Sequence, residues 1–303
     1  MIMRNAKDAN YFQIDGVVKK LSAPKGAILL PSKEAWEKLK WTRKYFKKKP
    51  VYGYFVWIKE KINTSILTCI SIVSEGFNQN LSNLFVIEKG INIEGKGICN
   101  VSKVHLKASH KAKGIIVLKE GASFNYQHIH RWGRDDEVKT DYHFILHDGS
   151  KLNYLYRTIS PPKQLNIKTT VDSYKDSTTF IRLLSDSSHT KINLEEKINL
   201  LEKGASGIIE LRLVGRKGSL IKAKSTIVAH SFSKGHLDCQ GILIDKKSKI
   251  SLIPELICKD KDAQITHEAS VGKISQDQIV YLRTRGLSEK EAIELVINGF
   301  LNK

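Results

Sequence analysis

Residues 230–300 read HSFSKGHLDCQGILIDKKSKISLIPELICKDKDAQITHEASVGKISQDQIVYLRTRGLSEKEAIELVINGF. Within this stretch a thiol, Cys239, is followed by an adjacent imidazole and carboxylate, His267 and Glu268, with strand-like segments between them. After Lys273 the pattern changes. Gln278, Ile279, Tyr281 and Leu282 suit a helix ending at Gly286, a left-handed cap. Ser288, with Glu291 three residues on, forms a capping box that opens a second helix whose apolar face is Ala292, Ile293, Leu295, Val296 and Phe300. Strands first and a helical pair last is the order that the rest of the chain has to fit.

Outward from there, residues 51–273 carry short runs of β-branched and aromatic residues punctuated by Gly, Ser, Asn and Asp, which is strand-and-turn composition. A loose internal repeat runs through them, in Leu118–Phe124 (LKEGASF), Leu146–Leu152 (LHDGSKL) and Leu201–Ser206 (LEKGAS). Weaker copies stand at Arg216–Leu220 and Asp245–Ile250. Repeated strand–turn units can stack as a solenoid in which each coil buries its apolar face on the next. An antiparallel sandwich has the same periodicity, so the pattern leaves both open.

Residues 1–50 read as an appended, helix-containing module. Ser32 after Pro31 suits an N-cap, and Ala35, Trp36, Leu39, Tyr45 and Phe46 make a partly amphipathic face. The run Lys47-Lys48-Lys49-Pro50 ends the helix with cations and a breaker. Trp36 and Trp41 read as packing residues.

The 303 residues, 41% hydrophobic and 27% charged, suffice for a full core. The N-terminal MIMRNAKDANYFQIDG is too polar for a signal peptide and no apolar run reaches the ~18 residues of a membrane helix, so a cytoplasmic protein is expected. Four cysteines, Cys69, Cys99, Cys239 and Cys258, lie far apart with no Cys-x-x-Cys pair, which indicates neither a disulfide framework nor a zinc ribbon. The net charge of +19 suggests an anionic partner. Its basic residues are nevertheless dispersed and no nucleic-acid motif accompanies them. No phosphate-binding Gly-x-x-x-x-Gly-Lys-[Ser/Thr] loop, Gly-x-Ser-x-Gly elbow or His-Glu-x-x-His helix is present, so neither ATP hydrolysis nor the commonest hydrolase chemistries are expected.

The ordered set Cys239, Pro254, Ala263-x-x-x-His267-Glu268-Ala269, Gly272-Lys273-Ile274, Tyr281-Leu282-x-x-Arg285-Gly286, Ala292 and Asn298-Gly299-Phe300 resembles the C-terminal core of the SufB/SufD family, scaffold proteins of iron–sulfur cluster assembly. The resemblance implies a mainly β chain. It would comprise a right-handed parallel β-helix core over 51–274, a small N-terminal α-containing module over 1–50, shorter than is usual in the family, and a C-terminal helical pair over 275–303. That pair would dock a separate ABC-type ATPase of the SufC kind, the chain itself being no enzyme. A transient iron–sulfur cluster would pass on to downstream apo iron–sulfur proteins.

The resemblance also implies a site. B-type members carry a cysteine and a glutamate spaced as Cys239 and Glu268 are, with a histidine before the glutamate as His267 is, and use them in cluster building. Thiolate suits an iron–sulfur cluster, and imidazole or carboxylate supplies weaker, exchangeable ligands. Read alone, Cys239 is a small buried hydrophobe; the resemblance makes it an iron ligand, with Glu268 and His267 beside it. One chain offers few strong ligands there, so a homodimer sharing the site is expected.

Cys99 stands upstream of His130-Arg131-Trp132, where B-type members have Gln-Asn-Trp, and His147 stands where they tend to have lysine. The resemblance makes Cys99 a candidate for sulfur handling, with core packing the alternative. Cys69 and Cys258 read as core residues, and His128, His130 and His143 as ordinary residues of alternating strands. His230 and His236 flank the Cys239 strand, with alternation placing His236 on the face opposite the thiol. The rival classes are a β-helical polysaccharide-active enzyme, which needs clustered carboxylates absent here, and a nucleic-acid-binding protein, which would bind with steep salt dependence.

Overall fold

The computed structural model describes residues 9–302. Two sheets face each other, their strands alternating along the chain. The first holds β1 (Ala9–Ile14), β5 (Ile66–Ile72), β7 (Asn92–Val101), β9 (Ser123–Arg131), β11 (Lys151–Ser160), β13 (Thr178–Ser188), β15 (Ser206–Arg216), β17 (Lys234–Leu243) and β19 (Gln264–Lys273), with β2 (Val17–Ser22) antiparallel on β1. The second holds β4 (Tyr54–Ile58), β6 (Asn78–Ile87), β8 (Ser109–Leu118), β10 (Glu137–Leu146), β12 (Gln164–Ser173), β14 (Lys191–Leu200), β16 (Leu220–Ala229) and β18 (Lys249–Cys258), with β3 (Ala27–Pro31) antiparallel on β4. Every other pairing is parallel, which makes a β-solenoid of about eight coils. Ser109, Glu137, Gln164, Lys191, Leu220 and Lys249 fall in one row, 27 to 29 residues apart, and the coil from Asn92 to Ser123 takes 31. The sandwich is excluded.

The turn repeats read from the sequence are the coil corners. Gly121 and Gly149 both adopt φ near +65°, a conformation that an L side chain resists, and each amide bonds to the carbonyl of the next coil's corner. Asp245–Ser248 has no glycine and closes differently: the Asp245 carboxylate accepts from the Lys247 and Ser248 amides at 2.8 and 2.9 Å.

Alternation along each strand puts every second side chain inside, as in β14 with Ile192, Leu194, Glu196, Ile198 and Leu200 buried. Aromatic rings stack within β9, Phe124 on Tyr126 at 5.0 Å, and from coil to coil, Tyr126 on Tyr154 at 5.6 Å. Glycines make room for them: a Cβ on Gly114 would lie 2.3 Å from the Tyr142 ring.

The N-terminal helices α1 (Ser32–Lys38) and α2 (Arg43–Phe46) cover the outer face of the second sheet, where Ala35 and Phe46 pack with Phe55, Leu84, Val86 and Val117. Trp36 and Trp41 pack there as read. Ser32 does not cap α1. It lies inside the helix, buried, and its hydroxyl donates to the Ser82 carbonyl at 2.6 Å, because tying the module to the sheet satisfies a buried acceptor that water cannot reach.

The C-terminal pair is α3 (Gln276–Thr284) and α4 (Glu289–Leu301), with Gly286 at φ +95° between them and the full Ser288–Glu291 capping box at the start of α4. Ile297 and Leu301 of α4 bury against Leu184 and Val214 on the outer face of the first sheet. Arg216 clamps the contact, reaching Glu294 at 2.5 Å and also Asp186. Among the described residues no helix is long and apolar enough to cross a membrane.

Candidate functional site

Cys239 sits on β17 with its side chain inside the solenoid, 1% exposed, and its Sγ lies 3.7 Å from the Ser225 Oγ on β16. Burial pushes the thiol up to about 11, an effect that the Ser225 hydrogen bond only partly offsets. In the β17–β19 register Cys239 pairs with Ala269, Asp238 with Glu268 and Leu237 with His267. Side chains paired in a parallel ladder share a face. His267 therefore lies on the face of Cys239, one step away along the strand, whereas Glu268 lies on the outer face.

Glu268 is exposed there, with its Oε1 3.9 Å from His236 Nε2, while His236 Nδ1 is 2.8 Å from the Thr266 hydroxyl. Nearby on that outer face Arg212 reaches Asp238 at 2.5 Å and Glu210 at 3.4 Å. Within one chain the register thus puts His267 on the same face as Cys239, in the row of Leu237, and Glu268 near His236. His230 follows β16 and is exposed. The coil that carries His267 and Glu268 is the last. Among the described residues no further strand pairs with β18 or β19, and most of β19 is exposed.

Cys258, at the end of β18, is exposed and donates to the Asp260 carbonyl at 3.0 Å, so its reading as a core residue is corrected. An apolar neighbourhood in sequence does not bury a residue whose coil has no successor. Cys69 is half-buried against Asn100 and Ser71.

A second constellation lies at the other end of the interior. Cys99 on β7 pairs in register with His130 on β9, and Gly97 with His128, so the thiol and both imidazoles point inward together. Cys99 Sγ is 3.6 Å from His128 Nε2, and the two Nε2 atoms are 3.0 Å apart. The Trp132 indole, which can only donate, lies 3.0 Å from His130 Nδ1, and the Tyr156 hydroxyl lies 2.6 Å from the same nitrogen. That nitrogen must therefore accept, which leaves the single proton of neutral His130 on Nε2, aimed at His128. His128 in turn accepts there and carries its own proton on Nδ1, 3.2 Å from the Tyr154 hydroxyl.

Burial pushes His128 down to about 3 and His130 well below its ordinary value, and it pushes the Cys99 thiol far up, so all three groups rest neutral. The sequence makes His128 and His130 ordinary strand residues, whereas the register puts them beside Cys99. The signal that marks them is coil length: counting one coil on from Cys99 arrives at His128–His130. His143 is a half-exposed partner of Asp172 at 2.7 Å, and His147 stacks on Tyr174 away from the cluster.

A polar file joins the two ends. On the inner face of the second sheet Tyr142, Thr169, Glu196 and Ser225 occupy one row. Glu196 is fully buried, neither of its oxygens makes a well-formed hydrogen bond, and burial raises its carboxyl to about 8. Facing this wall, the first sheet aligns His128, Tyr156, Leu183, Leu211 and Cys239 in one row. At one end Tyr142 contacts His128, ring centres 5.2 Å apart, and at the other Ser225 contacts Cys239.

Residues 72–300 match the family model described as "SUF system FeS cluster assembly, SufBD core domain". An iron-sulfur cluster assembly SufBD family protein of Methanothermobacter thermautotrophicus is 26% identical over 82% of this chain and 62% of its own length. One of Archaeoglobus fulgidus is 25% identical over 98% of this chain and 85% of its own. Bacillus subtilis iron-sulfur cluster assembly protein SufB is 21% identical over 82% of this chain and 55% of its own. The chain thus spans about three fifths of the length of the Methanothermobacter relative. With the parallel solenoid and the family match running together through the Cys99 cluster, the Cys239 strand and the helical pair, the chain belongs to the SufBD family of iron–sulfur cluster assembly proteins.

Proposed function

We propose that the chain is a scaffold rather than an enzyme, on which an iron–sulfur cluster, its cargo, is built and from which it is released to apo proteins in the cytoplasm. Cys239 supplies the thiolate, Glu268 the oxygen ligand and His267 the alternative, and a homodimer combines two such sets. Sulfur arrives at Cys99 and moves inside the solenoid toward Cys239. The observation that carries this reading is the file of buried polar side chains with a thiol at each end. A core built only for stability has no use for Glu196, Thr169 and Ser225 in one row, since each buried polar group lowers the stability of an apolar interior.

The C-terminal unit, residues 275–303, docks a separate ABC-type ATPase, the core being residues 51–274 and the N-terminal module residues 1–50. Exposed Val280, Tyr281 and Leu295 on the helical pair supply an apolar surface for that contact. Nucleotide-driven closing of the ATPase would strain the first sheet through the Arg216–Glu294 clamp.

Anaerobic co-purification with the ATPase, followed by iron and sulfide analysis and a visible spectrum, tests the scaffold role. A complex that forms and folds yet takes up neither iron nor sulfide in the presence of a cysteine-derived sulfur source would overturn it.

A further inference from the structure

Cys99 Sγ and ring nitrogens of His128 and His130 all lie within 4.8 Å of one another in the interior. A tetrahedral ion with bonds of about 2.3 Å to sulfur and about 2.05 Å to nitrogen has a sulfur–nitrogen edge of about 3.6 Å and a nitrogen–nitrogen edge of about 3.3 Å. Two of the three separations here are 3.6 and 3.0 Å, close to those edges, and the third, from Cys99 Sγ to His130, is under 4.8 Å. Tyr154 stands at the far nitrogen of His128 and Tyr156 at that of His130, the arrangement that orients ligating histidines. His110, buried and with its Nε2 lacking a partner, has its ring 6.1 Å from that of His130 and lies outside the three-ligand group.

We propose that Cys99, His128 and His130 form a buried binding site for a thiophilic divalent cation of the zinc type. This goes beyond the scaffold reading and does not depend on it. A Cys99 thiolate tied to such an ion has its sulfur lone pair engaged, so occupancy and sulfur carriage at Cys99 exclude each other.

Binding rearranges two protons. The Cys99 thiol proton leaves to solvent. The His130 proton moves from Nε2, where the ion must bind, to Nδ1, where the Tyr156 oxygen can accept its hydrogen bond. The Trp132 N–H opposes that move, since it would then meet another N–H at 3.0 Å. Trp132 is therefore an antagonist of the site and Tyr156 a supporter, opposite signs for two neighbours of one nitrogen. A purely structural role for either would not produce that difference.

The test is an anaerobic titration of cobalt(II) into the full chain carrying Cys69→Ser, Cys239→Ser and Cys258→Ser, so that Cys99 is its only thiol. Expected are the visible bands of tetrahedral cobalt at equimolar saturation, a near-ultraviolet thiolate-to-cobalt band, and displacement of both by zinc. Adding Cys99→Ser removes the thiolate band. Trp132→Phe tightens cobalt binding by about tenfold and Tyr156→Phe loosens it by a similar factor, the scale on which outer-shell partners act. A folded Cys99-only chain, checked by circular dichroism and cooperative melting, with no thiolate band would overturn the site. If that chain does not fold, wild type is compared with Cys99→Ser, and identical cobalt spectra overturn it equally. Weaker binding by Trp132→Phe would refute the assigned proton positions.

Discussion

His128 and Cys239 stand in the same inward-facing row of the first sheet, separated by the rungs of Tyr156, Leu183 and Leu211. At the spacing of parallel strands, four steps amount to about 19 Å. Two thiol-bearing centres that no local motif connects are thereby aligned along one axis.

Cluster loading should depend on Cys239 and on pH. The thiol is held near 11 by burial, so below that value iron must displace a proton to bind, and apparent affinity falls about tenfold for each unit that the pH drops. Anaerobic reconstitution of Cys239→Ser should lose most of the iron and sulfide, whereas Cys69→Ser and Cys258→Ser should retain both. Equal loading in wild type and a folded Cys239→Ser chain refutes the assignment.

Glu196 should give the fold an unusual dependence on pH. Its folded-state value, raised to about 8, exceeds the ordinary 4.5, so the folded chain holds this proton more tightly than the unfolded chain does. The contribution to stability is complete below about pH 4.5 and is lost as pH rises to about 8, at about 1.4 kcal/mol per unit. Urea unfolding of wild type and Glu196→Gln across that window should diverge, with the glutamine chain relatively more stable at the alkaline end. Parallel curves would mean that Glu196 finds its charge compensated.

Gly114→Ala should destabilise the solenoid by about 1–3 kcal/mol, because its Cβ would enter the Tyr142 ring and overpacked cores relax poorly. Gly149→Ala meets no atom within 4 Å, so only the strained φ of +65° opposes it, at about 1 kcal/mol. Denaturant midpoints that rank the two in the reverse order would contradict the packing assigned to Gly114.

Tyr281→Asp and Leu295→Asp should abolish co-purification of the ATPase while leaving the melting temperature nearly unchanged, since both side chains are more than half exposed. Ile297→Ala, on the buried side of the same helical pair, should instead cost about 2–5 kcal/mol. Retained binding by the double aspartate chain would move the docking surface elsewhere.

A mixed dimer of wild-type and Cys239→Ser chains, purified on two different tags, should hold a cluster altered in spectrum or occupancy under the proposal that the site draws on both copies. Half the wild-type iron with an unchanged spectrum would show that each chain binds its own.

Much of this architecture was legible in the residues. The Ser288–Glu291 box and Gly286 mark the helical pair without any tertiary information, since caps are local chemistry. The Gly121 and Gly149 turns mark coil corners, yet turn spacing alone could not separate a solenoid from a sandwich, because both alternate inside and outside with period two. The same ambiguity hid His128 and His130. A histidine in an alternating strand reads as an ordinary surface or core residue, and only the sheet register shows that here it shares the inner face with Cys99. Ser32 and Cys258 depart from their sequence reading for the complementary reason: one is recruited by a neighbouring strand, and the other belongs to a coil on which no described strand stacks.

That uncovered last coil has a thermodynamic meaning. In a stack of like units each rung is held by two neighbours, except the terminal one, which has a single neighbour and melts at the lowest free energy. The β17 rung, with Cys239, lies within the cooperative body of the stack, while the β19 rung, with His267 and Glu268, is its fraying end. The proposed ligand set thus combines a stiff half with a compliant half, and a partner resting on the final rung would add the missing neighbour term and freeze the compliant half in place.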